Sequence, residues 1–123
     1  SLTRKGRRRV VVTGMGILSP VGIGIEENWE NISNGRSGIG PLTRFDCSGY
    51  PSRIAGELKG FRPEDFMPAK LVKRLDPFVQ VAVAGAVMAM EDSGLKIKKD
   101  EAQRCGVITG VGLGGLGSIG FYR

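Results

Sequence analysis

The chain has 123 residues, 41% hydrophobic and 24% charged, which is the balance of a soluble globular domain rather than of a disordered or membrane-embedded segment. Its formal charge of +6 is supplied mostly by Arg4, Lys5, Arg7, Arg8 and Arg9, leaving a nearly neutral body of 13 basic and 12 acidic residues. The 20 glycines and 6 prolines follow no Gly-x-y period and form no low-complexity tract, so a collagen-like chain is excluded and the glycines are expected to shape turns.

Residues 1–8 form a basic arm. Such an arm can meet phosphates, but no aromatic residues interleave with it, and it reads as a solvated tail or an expression remnant rather than a nucleic-acid site. Arg9-Val-Val-Val-Thr13, stopped by Gly14-Met-Gly16, is the β-branched run of a strand buried on both faces and is expected to be the first strand. Because Thr13-Gly14 follows the valines at once, there is no apolar region of a secretory signal. Residues 25–34 place Ile25, Trp29 and Ile32 on one helical face, with Glu26 and Glu27 in the first turn and Gly35 past the end, which predicts an amphipathic helix. Residues 36–60 read as a long connection with an edge strand over Ile54-Ala-Gly-Glu-Leu58.

Residues 63–75 hold one or two short helices that put Lys70, Lys73 and Arg74 at i, i+3 and i+4, a compact cationic patch. Asp76-Pro77 is an N-cap followed by proline at the first helical position, opening a helix that runs to about Ser93 and closes on Gly94. Of residues 78–90, only Gln80 and Gly85 are not apolar, so the helix is expected to be buried on all sides. This 13-residue run is too short for a bilayer, which needs about 20. Residues 96–104 are polar with a short helix starting near Asp100. Cys105-Gly-Val-Ile-Thr109 is expected to be a second buried strand, leading into a glycine-rich run.

Buried strands separated by helices predict an α/β protein with a parallel sheet. Two good strands and one doubtful one cannot cover a helix that is apolar all round. The chain is therefore expected to be an N-terminal piece of a larger domain, exposing a large apolar surface when alone.

Gly110-x-Gly112-x-x-Gly115 follows an expected strand and fits a dinucleotide fingerprint, but the acidic ribose ligand expected about 20 residues on would lie past Arg123. A glycine-built strand exit is the simpler reading, with nucleotide binding as its alternative. Cys47 and Cys105 lie in unrelated contexts in a chain without histidine, which suggests neither a disulfide, a zinc site nor an activated nucleophile, and a reduced cytosolic setting. The acidic pairs Glu26-Glu27, Glu64-Asp65, Glu91-Asp92 and Asp100-Glu101 sit near helix ends, where caps and dipoles account for them. The face of Lys70, Lys73 and Arg74 stands in a neutral body and suits an acidic partner, with a merely solvated face as the alternative.

The succession Arg8-Arg-Val-Val-Val-Thr-Gly-Met-Gly-Ile-Leu-Ser-Pro-Val-Gly22, then Trp29, Gly35-Arg-Ser-Gly-Ile39, Phe45-Asp46, Ile54-Ala-Gly-Glu57, Asp76-Pro-Phe-Val-Gln80 and Glu91-Asp-Ser-Gly-Leu95, resembles β-ketoacyl-acyl-carrier-protein synthases of the synthase II type. The related alternatives are synthase I and polyketide ketosynthases. The resemblance implies a thiolase-like layered α/β/α/β/α fold, of which residues 9–123 are an incomplete N-terminal part. It further implies a cytoplasmic homodimer that elongates acyl chains by decarboxylative Claisen condensation without a cofactor or metal. Its partner is acyl carrier protein, not nucleic acid or membrane. The family's catalytic cysteine and two histidines lie in motifs this chain lacks, so the chain alone is expected to be inactive. By position, Lys70, Lys73 and Arg74 fall on the carrier-protein contact and Leu113 on the lining of the acyl pocket.

Overall fold

The computed structural model describes residues 9–116; the cations at positions 4, 5, 7 and 8 and the end of the glycine run lie outside them. The described chain mixes helices with short strands. A tight hairpin joins β1 (Leu18–Ser19) to β2 (Gly22–Ile23), with Leu18 opposite Ile23. Helix α1 (Ile25–Ser33) follows directly, and a second antiparallel pair, β3 (Ile39–Pro41) with β4 (Ile54–Gly56), sets Gly40 against Ala55. A 3-10 turn over Pro63–Asp65 and the short helix α2 (Ala69–Val72) lead into α3 (Pro77–Ser93), and another 3-10 turn covers Ala102–Arg104.

The end signals of α3 act as written. Asp76 is the N-cap residue, its carbonyl accepting from the amides of Val79 and Gln80, and Pro77 opens the first turn where its missing N–H costs nothing. Gly94 closes the helix in the left-handed region at φ 62°.

A close crossing holds α3 against the segment that follows the first valines. A methyl group on Gly14 would collide with the Ala89 carbonyl and one on Gly16 with the Gly85 carbonyl, so backbone lies on backbone. The Met15 amide donates to Asp92 Oδ2 at 2.8 Å and ties the crossing to the last turn of the helix. Only glycine permits this approach.

Three expectations change. The parallel sheet is absent among the described residues: both ladders are antiparallel and two-stranded. The segments expected as buried strands, residues 9–13 and 105–109, have no ladder partner and lie exposed, with Val10 at 91% and Ile108 at 99%. A strand of a parallel sheet exists through neighbours far away in sequence, and no described segment supplies them. Finally, α3 is covered on part of its circumference only. Ala84 is fully buried, whereas Phe78, Ala82, Ala86 and Met90 form an exposed stripe at intervals of four residues.

Helix α1 is turned opposite to its expected orientation. Its apolar stripe faces outward, Trp29 being 71% exposed, while Asn28 is buried. Asn28 accepts from the Ser19 hydroxyl and donates to the Gly24 carbonyl, and Asn31 donates to the Val21 carbonyl. These side-chain bonds tie α1 to the hairpin and its exit and keep the part-buried polar groups bonded. The apolar core of the described residues is small, with Met67 and Ala84 as its buried members.

Candidate functional site

The cationic residues sit on one continuous turn. Leu71 and Val72 donate to the Pro68 carbonyl, Lys73 to Ala69, and both Arg74 and Leu75 to Leu71, so helical bonding runs past α2 itself. Lys73 is the C-cap residue and Arg74 lies beyond it, so the patch occupies a short helix and its exit rather than a regular helical face. Lys70, Lys73 and Arg74 are all exposed. Neither of the two ion pairs among the described residues, Arg36 with Glu30 and Arg62 with Asp65, involves them.

The exit of this turn is tied to α3 by Gln80. Its side-chain amide donates to the carbonyls of Val72 and Leu75, each at 2.9 Å. By composition Gln80 was only an exception in an apolar run, and that exception was the available signal of its work.

Asp76, two residues after Arg74, belongs to the wall of a cleft of about 840 Å³. Leu58, Phe61, Phe78 and Val81 line one side, Leu113 and Leu116 contribute from the glycine-rich run, and Arg44, Asp76 and Gln80 are polar members. Leu113 is 75% exposed, an apolar side chain at an open mouth rather than within a core. The glycines explain how its segment comes so close. A methyl group on Gly114 would lie 2.7 Å from the Phe78 ring, and Gly115 holds φ at 77°, a value that disfavours side chains with a Cβ. Phe78 is thus the ring on which the Leu113 segment rests, and residues 113–116 supply part of the cleft wall.

The acidic residues do local work. Glu27 accepts from the Ile23 amide at 2.8 Å, Asp92 from Met15, and Glu101 from the Lys98 amide at 3.2 Å. Glu57 accepts from the Thr43 hydroxyl at 2.6 Å and from the amides of Thr43 and Arg44 at 3.0 and 3.2 Å. The Thr43 hydroxyl, followed by its amide, holds the Glu57 carboxyl below the ordinary glutamate value, against a small opposing effect of burial. Asp46 is likewise lowered by the Ser48 amide and hydroxyl. Glu57 spans the sequence gap that closes β3 onto β4, a role that its place within Ile54-Ala-Gly-Glu57 did not disclose.

Cys47 is half-buried and Cys105 exposed, both as free thiols, and Cys105 lies 3.5 Å from the Glu101 carbonyl. The described residues contain no group of three or more metal-ligating side chains, and none of their helices is long and apolar enough to cross a membrane. The site is a cationic turn followed in sequence by the wall of a largely apolar cleft.

Comparison with known proteins gives a consistent set of similarities. A family model described as the N-terminal domain of beta-ketoacyl synthase matches residues 7–122. The 3-oxoacyl-[acyl-carrier-protein] synthase 2 of Vibrio cholerae serotype O1 is 46% identical over 110 residues, covering 89% of this chain and 27% of that protein. The protein of the same name from Staphylococcus aureus strain COL is 44% identical over 109 residues, covering 89% and 26%. Among solved structures, the ishigamide ketosynthase/chain length factor superposes with a TM-score of 0.67 at 40% identity, over 74% of this chain and 23% of that chain. The chain thus spans roughly a quarter of the length of the curated relatives it matches.

Proposed function

The chain belongs to the beta-ketoacyl synthase family, and from this premise we propose that it is the carrier-docking, pocket-lining N-terminal part of a 3-oxoacyl-[acyl-carrier-protein] synthase of type II. The complete protein transfers an acyl group from carrier protein to an enzyme cysteine, breaking one thioester and forming another. Malonyl-carrier protein then loses carbon dioxide, the resulting carbanion attacks the enzyme-bound acyl carbonyl, and the cysteine thiolate departs as the carbon–carbon bond forms. The cysteine and two histidines of this chemistry belong to sequence outside this chain. Cys47 and Cys105 take no part in it, and residues 9–123 alone are inactive.

In the complete protein, layered as α/β/α/β/α and paired as a cytoplasmic homodimer, α3 lies in the buried helical layer. The exposed stripe Phe78, Ala82, Ala86 and Met90 is then a surface for a neighbouring layer, and residues 9–13 and 105–109 are strands that gain their ladders there.

Lys70, Lys73 and Arg74 meet the acidic carrier protein. Charge complementarity at such a contact acts chiefly on encounter rate and orientation. Because Asp76, two residues beyond Arg74, belongs to the cleft wall, docking there brings the tethered acyl chain to the cleft that Leu113 also lines. The observation that supports this reading most is the family match across residues 7–122, which takes in both the cationic turn and the cleft. Replacing Lys70, Lys73 and Arg74 together by glutamate in the complete gene product tests it. The expected result is a roughly hundredfold loss of kcat/KM for carrier-bound substrate and a flatter dependence on salt, as for reversal of three attractive contacts; unchanged kinetics and salt dependence would overturn it.

A further inference from the structure

Gln80 is the one polar side chain among residues 78–90 of α3 and stands where that helix meets the cationic turn. The two carbonyls it binds, those of Val72 and Leu75, stand on either side of Lys73 and Arg74. Val72 is the last residue of α2, where carbonyls run out of intrahelical donors. A primary amide carries two N–H groups, so one side chain satisfies both ends of the turn. The backbone amide of Gln80 is already given to the Asp76 carbonyl, at 3.1 Å, which anchors the clasp in the first turn of α3. Helix α2 has four residues, far below the length at which a helix persists unaided. Its exit is therefore shaped by what it is fastened to. Gln80 is half-buried, so water does not freely replace the bonds it makes.

We propose that Gln80 is a positioning residue for recognition of the carrier protein: it pins residues 72–75 to α3 and so fixes the pose in which Lys73 and Arg74 are presented to the acidic partner. This rests on the docking role of the basic turn given above. Gln80 also borders the cleft, but in this role it makes no contact with the carrier protein. It acts through the backbone that carries the two cations.

The test compares Gln80→Leu and Gln80→Glu in the complete gene product, using one acyl substrate on carrier protein and the same acyl group on a short soluble thiol without carrier. Leucine removes both donors at similar size, and glutamate keeps the length but sets a carboxylate against two carbonyls. Both variants should lose about fivefold to tenfold in kcat/KM for the carrier-bound substrate, the scale of a displaced interfacial contact, through a raised KM. The loss on the carrier-free thioester should be clearly smaller than on the carrier-bound one, which separates presentation of the cations from Gln80's own place on the cleft wall. With Lys73 and Arg74 both changed to alanine, adding Gln80→Leu should cause no further loss, because the clasp would have no cations left to place. Equal losses on the two substrates, no loss on either, or failure of both variants to fold would make Gln80 a structural residue and overturn the proposal. A different result sinks the docking role itself: charge reversal at Lys70, Lys73 and Arg74 that leaves carrier kinetics unchanged removes the proposal together with its premise.

Discussion

Two parts of the molecule obey different rules. From Leu18 to Glu57 the chain closes on itself: β1 pairs with β2 across two residues, α1 hands its asparagine amides to the hairpin, and Glu57 gathers the amides of Thr43 and Arg44. Around α3 it does not. Two β-branched segments lie open and a stripe of the helix faces outward. The difference is one of sequence distance. Turns, caps and side-chain clasps find their partners within a few tens of residues, whereas a buried helix and parallel strands are completed by elements far along the chain. The first region satisfies its polar and backbone groups locally, although apolar side chains such as Trp29, Ile32 and Ile54 still face outward, and the second reads as one side of an interface.

The strongest way to break that contrast acts where the two regions touch. Gly16→Ala places a methyl group onto the Gly85 carbonyl and forces the crossing apart, with an expected cost of about 3 kcal/mol in the complete gene product, the upper range for overpacking a tight contact. Denaturant unfolding measures it. An unchanged midpoint would mean that the close crossing of α3 is not retained.

A smaller effect sharpens the local side. The folded state holds the Glu57 carboxyl below its ordinary value, so its contribution is whole above that ordinary value and is lost as pH falls through the lowered one. Glu57→Gln should therefore be less stable than the parent near neutrality, and the gap should narrow as the solution is acidified into the carboxylate range. Thermal unfolding at a series of pH values checks this. Parallel curves would remove Glu57 from the closure of β3 onto β4.

Much of this was legible in the residues. Asp76-Pro77 and Gly94 marked both ends of α3, the run after Pro63 gave the short turns that carry Lys70, and Ile54 began the second strand of a pair. These signals are local chemistry: a fixed φ, a missing donor, a left-handed cap. The valines of residues 10–12 and the pair Val107 and Ile108 were legible as strand formers but not as formed strands, because β preference records a surface waiting for neighbours. Helix α1 misled for a related reason. Its apolar stripe looked like the buried side, yet Asn28 and Asn31 are the residues whose amides bond the hairpin and its exit. Gln80 and Glu57 looked like interruptions of a pattern and are clasps. A polar residue that breaks a periodicity announces that it has a partner without saying which.

The central claim is that α3 and its flanking valine segments are completed by sequence outside this chain. Amide hydrogen exchange, measured on the 123-residue chain and on the complete gene product, tests it most directly. The account predicts that the amides of residues 10–12 and 107–109 exchange at open-chain rates in the 123-residue chain and are protected by orders of magnitude in the complete protein. Strong protection of these amides in the 123-residue chain by itself would contradict it.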